Sequence, residues 1–307
     1  MARQRDHGGG LDAARDTWGG TDWLDLSTGI NPNPYPLPAF APSDWTALPD
    51  RDATTALNQA ARRFWQVPEG ADLLAAPGLS SVIAALPSTF DAEMSVDIPA
   101  PTYNEHAAAW AGHKTAPGPA DVRVLVHPNN PDGRIWQEAD FAPITIVDES
   151  FCDVMPEASL VRAASRPNVV ILKSFGKFWG LAGLRLGFAI GDPTTIGRLR
   201  DRLGPWPVSG PALRTGTAAL SDPDWADATR HRLARDARRL DGLMARHGAL
   251  VGGTDLFRLY EVDDSRAFQD RLARSAIWSR IFPYSDRWVR LGLPPSGSWD
   301  RVEGALA

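Results

Sequence analysis

Four short runs of apolar, β-rich residues set the strongest limit on how this chain can fold: Val122–Val126, Ile144–Val147, Val169–Leu172 and Leu186–Ile190. Each is nearly continuous in hydrophobic side chains rather than alternating, the pattern of strands buried on both faces. Helical stretches alternate with some of them. An α/β layer architecture, with helices flanking a mostly parallel central sheet, is expected. A chain of 307 residues suffices for one large domain or two unequal ones.

Ahead of these strands, the first 40 residues are rich in Gly, Pro, Asn and Asp, as in Asn31-Pro32-Asn33-Pro34-Tyr35-Pro36, and read as an extended arm. A helix is expected at about 54–65 and a second from the turn Pro77-Gly78-Leu79-Ser80-Ser81 through about Leu86. A Gly-Ser turn before a helix presents backbone N–H groups on which phosphate can sit. Past Gly204 the texture changes to an Arg-rich amphipathic helix at about 222–247, then a strand (256–262), a helix (265–275), two short strands near 277–282 and 288–293, and a brief final helix. The pattern predicts a large domain over 38–210 and a smaller α+β domain built from 1–37 with 211–307.

Composition removes several function classes. The formal net charge is −5, so the basic excess that nucleic-acid binding requires is missing. No apolar run approaches the roughly 18 residues of a membrane helix. Met1-Ala2-Arg3-Gln4-Arg5-Asp6-His7 leads into Gly and Asp, which predicts no signal peptide. The single cysteine, Cys152, cannot form an internal disulfide, and a reducing, cytoplasmic setting is expected. The six histidines show no His-Glu-x-x-His spacing, so no metal is expected. A hydrolase elbow, Gly-x-Ser-x-Gly, is absent.

Of 32 basic residues only three are lysines: Lys114, Lys173 and Lys177. Arginine serves wherever a plain positive charge is enough, and it neither loses its proton nor forms an imine at neutral pH. The lysines therefore mark where chemistry could lie. Two fall in Val169-Val170-Ile171-Leu172-Lys173-Ser174-Phe175-Gly176-Lys177-Phe178-Trp179-Gly180-Leu181-Ala182-Gly183-Leu184-Arg185-Leu186-Gly187. Here a buried strand ends and a glycine-rich turn follows, the place where α/β sheets bind ligands. Ser174 and Arg185 offer a hydroxyl and a guanidinium to a phosphate. Lys177, beside Arg185 and in apolar company, is placed to act as an amine nucleophile. A solvated loop with ordinary charges is the competing reading.

These residues resemble the signature of class I/II aminotransferases, the fold-type I enzymes that use pyridoxal 5′-phosphate (PLP). The resemblance implies that Lys177 holds the coenzyme as a Schiff base, while Ser174, Arg185 and the turn Gly78-Leu79-Ser80 bind its phosphate. Three further segments match in the family's order. His127-Pro128-Asn129-Asn130-Pro131-Asp132-Gly133 resembles the Asn-Pro-x-Gly turn, which implies that Asn130 contacts the coenzyme's ring oxygen. Ile146-Val147-Asp148-Glu149 implies Asp148 as the partner that keeps the pyridine nitrogen protonated. Pro101-Thr102-Tyr103-Asn104-Glu105-His106 implies that Tyr103 stacks on the ring, with His106 behind Asp148. Trp288-Val289-Arg290-Leu291-Gly292 resembles the small-domain strand whose Arg, here Arg290, takes the substrate carboxylate. Lys173 stands where many relatives have Arg and reads as a structural charge.

Two positions depart from the pattern: Phe151 replaces a common Tyr, and Leu48 replaces a Tyr that in relatives reaches across a homodimer interface. His7-Gly8-Gly9, Ser27-Thr28-Gly29-Ile30-Asn31-Pro32, the stretch 204–210 and the stretch 252–259 are similar to one branch of the family, the threonine-phosphate decarboxylases. That likeness implies decarboxylation of L-threonine O-3-phosphate to (R)-1-aminopropan-2-ol O-2-phosphate in cobalamin biosynthesis. His7, Gly8, Asn31, Asn130 and Arg290 would then bind substrate. A histidinol-phosphate-type aminotransferase is the alternative, and a non-catalytic binding protein on the same fold a more distant one.

Overall fold

The computed structural model describes residues 7–307. Its strands are β1 (Leu24–Asp25), β2 (Asp72–Ala76), β3 (Ser95–Asp97), β4 (Lys114–Thr115), β5 (Val122–Val126), β6 (Ile144–Asp148), β7 (Val169–Ser174), β8 (Gly187–Gly191), β9 (Gly248–Thr254), β10 (Phe257–Val262), β11 (Ile277–Trp278), β12 (Arg280–Phe282) and β13 (Ser285–Gly292). The chain divides into two compact units. The larger holds Pro34–Asn130 and Ile135–Ala228; the smaller holds residues 7–33, Pro131–Arg134 and Thr229–Ala307.

The larger unit is built on a seven-stranded sheet of order β2-β8-β7-β6-β5-β3-β4. The five strands from β7 to β4 run parallel, and β8 is antiparallel to both its neighbours. Every residue of β6 and β8 is buried, as their unbroken apolar runs require. On one face Ile146, Val170 and Leu172 pack with Val82 and Ile83 of the helix Leu79–Ala85 and with Ile196 and Leu199 of the helix Pro193–Leu203. Elsewhere in this unit the helix Arg51–Phe64 packs on the helix Gly210–Leu220. The first of these is capped by Asp50, whose carboxylate accepts the Ala53 amide at 2.7 Å. Gly216 allows the packing: a Cβ there would lie 2.6 Å from a Leu186 methyl and 2.8 Å from a Leu57 methyl.

All four expected strands form. β6 and β7 run on to Asp148 and Ser174, so each strand ends on a polar residue. Register sets Val126 beside Asp148 and Asp148 beside Leu172. The carboxyl ends of β5, β6 and β7 therefore open at one edge of the sheet. In this unit β2, β3 and β4 were not expected; Asp72-Leu73-Leu74-Ala75-Ala76 lacks the β-branched residues that mark a strand.

The smaller unit carries an antiparallel sheet of order β12-β13-β10-β9, with the helices Ser265–Ala273 and Trp299–Leu306. Here the arm differs from expectation. Leu11–Trp18 is a helix, with Ala14 buried, and β1 pairs in parallel with β11. Glycines at 8–10 and 19–20 bracket that helix, and their abundance masked it. The strand expected over 277–282 breaks at Ser279: Ile277–Trp278 pairs with the arm and Arg280–Phe282 with β13.

Pro131–Arg134 belongs to the smaller unit because two glycines let backbones touch. Gly133 has φ +73°, and a Cβ there would fall 2.1 Å from the Gly253 carbonyl oxygen. The Gly253 amide donates to the Asp132 carbonyl at 3.0 Å. The Gly of the Asn-Pro-x-Gly turn is thus fixed by sterics and by a left-handed φ. Gly133→Ala is expected to destabilise the protein by about 1–3 kcal/mol, as overpacking typically does, read as a lower midpoint in thermal unfolding.

Candidate active site

The edge where β5, β6 and β7 end gathers most of the predicted residues. Asp148, the last residue of β6, is buried. His106 is buried with it on the short helix Asn104–Ala109, and its Nε2 lies 2.8 Å from Asp148 Oδ2. The other oxygen accepts the Ser150 hydroxyl at 2.6 Å and the Ser150 amide at 3.0 Å. Burial alone would raise this carboxyl's pKa. The bonds from His106 and Ser150 outweigh it and hold the group below its usual range. The sheet edge therefore carries a fixed negative charge.

Tyr103 immediately precedes that helix, its ring 6.1 Å from the His106 ring. The segment is tied to the strand-end turn by Asn129, which accepts the Thr102 hydroxyl at 2.6 Å and donates to the Pro101 carbonyl at 3.0 Å. Asn130 follows at once and is half-buried. The amide of His127 bonds the Asp148 carbonyl at 2.8 Å, so the Asn130 turn rises from the strand beside Asp148.

Past β7, the turn is folded by its own small residues. The Gly176 amide donates to Ser174 Oγ at 3.2 Å, the Leu181 amide to the Phe175 carbonyl, and the Gly180 amide to the Lys177 carbonyl. Lys177 is half-buried, its Nζ 5.2 Å from the centre of the Phe151 ring. Phe151 lies three residues past Asp148, on the turn that leaves β6.

Ser174 pairs across the sheet with Gly187, and Gly187 with Ala76. A Cβ on Gly187 would stand 2.7 Å from the Leu79 amide nitrogen, so β8 passes directly against the start of the helix Leu79–Ala85. Arg185, at φ +55°, lays its guanidinium over Gly78, where a Cβ would come within 2.6 Å of Nη2. Ser174, Arg185, Gly78, Leu79 and the exposed Ser80 thus surround one spot with hydroxyls, a guanidinium and helix-start amides, a donor set suited to a phosphate.

Arg290 sits in the smaller unit, on β13, and is 4% exposed. Its Nη2 donates to the Ser27 carbonyl and its guanidinium carbon lies 5.1 Å from the centre of the Phe257 ring. Burial and the charge of Arg280 bring its pKa down to about 10, so it stays charged at neutral pH. Arg280 was missed in the sequence. It faces Arg290 across the β12–β13 ladder, and its Nη1 donates to the His7 carbonyl at 2.6 Å. Two like charges side by side are repulsive unless an anion joins them. The only sequence signal was the period-2 phase of a short strand, lost among 29 arginines.

The arm near His7 is docked through its backbone: the Gly9 amide donates to Ser27 Oγ at 2.6 Å, and Trp278 Nε1 donates to the Gly9 carbonyl at 2.9 Å. Gly8 is pressed so closely on Ser27 that a Cβ would lie 2.5 Å from its carbonyl oxygen. The Gly9 amide is therefore engaged by the Ser27 hydroxyl. Asn31 is buried, and its Oδ1 accepts from Arg232 Nη2 at 2.6 Å and from the Asn33 amide at 3.0 Å.

His127, Glu149 and Cys152 also converge. The His127 and Glu149 atoms make hydrogen bonds within the fold. His127 Nδ1 accepts the Trp136 amide and Nε2 lies 2.7 Å from the Ala158 carbonyl oxygen, while Glu149 accepts from the Leu160 amide and the Ser159 hydroxyl. Among the described residues no helix is long and apolar enough to cross a membrane.

Replacing His106 by Phe removes the charge-assisted bond on Asp148. Asp148, now depressed in pKa, contributes stability above its unfolded value of about 3.9, lost as pH falls through the lower folded value. In His106→Phe burial prevails and the sign reverses. The variant is expected to lose about 1.5–3 kcal/mol at pH 7 and less near pH 4, in denaturant titrations at both pH values.

The sequence model described as aminotransferase class I and II matches residues 114–306. A threonine-phosphate decarboxylase from Sinorhizobium sp is 38% identical, the match covering 98% of this chain and 97% of that protein. One from Pseudomonas aeruginosa is 38% identical, over 93% of this chain and 91% of its own. Among solved structures, a histidinol-phosphate aminotransferase from Sinorhizobium meliloti in complex with pyridoxal-5′-phosphate superposes with a TM-score of 0.81 at 21% identity, covering 97% of this chain and 93% of that one. Matched over most of its length by that sequence model and by relatives at 38% identity, the chain belongs to the class I and II aminotransferase family.

Proposed function

We propose that this protein is a PLP-dependent decarboxylase that converts L-threonine O-3-phosphate to (R)-1-aminopropan-2-ol O-2-phosphate and CO₂, as a step of cobalamin biosynthesis. The observation that carries the reading is the 38% identity to threonine-phosphate decarboxylases over nearly the full length. Arg280 and Arg290, opposite each other in the β12–β13 ladder, favour a substrate with more than one anionic group.

The residues at the sheet edge fit PLP. Lys177 would hold it covalently through Nζ. Ser174, Arg185 and Gly78-Leu79-Ser80 would bind its phosphate, Asp148 its ring nitrogen, Asn130 its ring oxygen, and Tyr103 the face of its ring. Bound PLP supplies an electron sink for the pair left behind when a group departs from the substrate Cα. Asp148, kept ionised by His106 and Ser150, holds a proton on the ring nitrogen and so keeps that sink open. Arg290 fixes the carboxylate and Arg280 the phosphate, with Asn31, Asn130 and the His7-Gly8 arm as further substrate contacts. Anchoring both anions orients the bond from Cα to the carboxylate, the kind of positioning that lowers a barrier by several kcal/mol. Lys177 Nζ would return a proton to Cα. An aminotransferase would use the same residues but present the Cα–H bond instead.

The reading includes a homodimer in the cytoplasm. Leu37, Trp45, Leu48 and Trp206 are 60, 68, 67 and 58% exposed in the larger unit. Gly210, whose Cβ would lie 2.3 Å from the Asp44 carbonyl oxygen, brings the segments carrying them together. Exposed large apolar side chains of this kind are what a protein–protein contact covers. Sedimentation is expected to give twice the chain mass of 33.3 kDa, and Trp45→Arg to reduce it to one.

The protein with PLP is expected to absorb at about 420 nm, as a lysine-bound coenzyme does, and to release CO₂ from threonine phosphate with no keto acid present. Lys177→Ala should lose both the band and borohydride labelling. A product that forms only when a keto acid is added would favour the aminotransferase, and a colourless wild-type protein would overturn PLP binding altogether.

A further inference from the structure

Behind the proposed coenzyme site lies a buried charge cluster that no step above uses. Lys173 is 2% exposed, and its Nζ lies 2.5 Å from Glu149 and 3.3 Å from Asp153. Burial would lower the pKa of this amine, but the two carboxylates hold it well above the usual lysine range, so it is a permanent cation. A neutral core of the same volume is commonly as stable as a buried ion pair, so stability alone is a weak reason for such a cluster.

Connectivity gives a stronger reason. Glu149 is the residue after Asp148, and Lys173 is the residue before Ser174. The Glu149 amide also donates to the Leu172 carbonyl. Asp153 accepts the indole N–H of Trp65 at 3.0 Å and that of Trp179 at 3.1 Å; Trp179 is two residues past Lys177 and stacks flat on Phe175 and Trp225. One ammonium thus joins the end of β6, which carries Asp148, to the end of β7, which carries Ser174 and opens the Lys177 turn.

We propose that Lys173, with Glu149 and Asp153, is a positioning group that keeps Asp148, Ser174 and Lys177 in a fixed mutual geometry, so that coenzyme retention depends on its charge. The proposal rests on the PLP reading above and adds a role to a lysine outside the contact set. A rigid second layer of this type commonly changes affinity or activity by about 10–100-fold when removed.

The test uses the full chain loaded with PLP, as wild type, Lys173→Met, Lys173→Arg and the charge-neutral double variant Lys173→Met with Glu149→Gln. Two quantities are followed: release of PLP into a carbonyl trap, and the pH titration of the absorbance at about 420 nm. Unfolding midpoints of the coenzyme-free proteins are measured in parallel. Lys173→Met is expected to release PLP about tenfold faster with a displaced titration, and Lys173→Arg to restore both. The double variant keeps the test open if Lys173→Met does not fold; it should fold and still release PLP faster. Overturning the proposal would take wild-type release and titration in a variant, single or double, whose only change is a lower midpoint. A wild-type protein that takes up no PLP would instead sink the reading it rests on, and the positioning role with it.

Discussion

A carboxylate sealed from water at the end of a central strand is the constraint around which this molecule is arranged. Asp148 would be neutral in a merely apolar setting, because a buried charge is costly. It is charged because His106 and Ser150 donate to it. That requirement reaches outward: His106 needs its short helix, and the Pro101-Thr102 segment that leads into that helix is tied by Asn129 to the neighbouring strand-end turn. Several elements distant in sequence meet because one negative charge needs donors.

The opposite charge is handled on the same principle. Glycines 78 and 187 admit a guanidinium and a helix start to within van der Waals contact of the sheet. Side chains there would push the donors apart. Cation and anion sites lie at the same carboxyl edge of the parallel strands, where the chain leaves regular structure.

Sequence reasoning reached far into the larger unit because its central strands are written as unbroken apolar runs, which stop one residue short of Asp148 and two short of Ser174. Where the signal was compositional it failed. The helix Leu11–Trp18 was hidden between glycines, and β2 was hidden in a Leu-Ala run. A domain limit near 210 followed Gly and Pro, yet the helix Gly210–Leu220 clusters with the larger unit through its packing on Arg51–Phe64. Lys173 read as an ordinary structural charge, since its two carboxylate partners lie on a different strand end. Arg280 could be recognised only once the β12–β13 register set it opposite Arg290.

The smaller unit is assembled from three stretches of chain, with residues 131–134 reaching it as an isolated loop held by the Gly133–Gly253 contact. It is therefore not a cassette. A gene fragment beginning at residue 229 would lack both the arm that supplies Ser27 to Arg290 and the loop that covers β9. Recombination between relatives that swaps only the C-terminal third would join halves whose glycines had never been matched, so these two positions constrain how such chains can be shuffled.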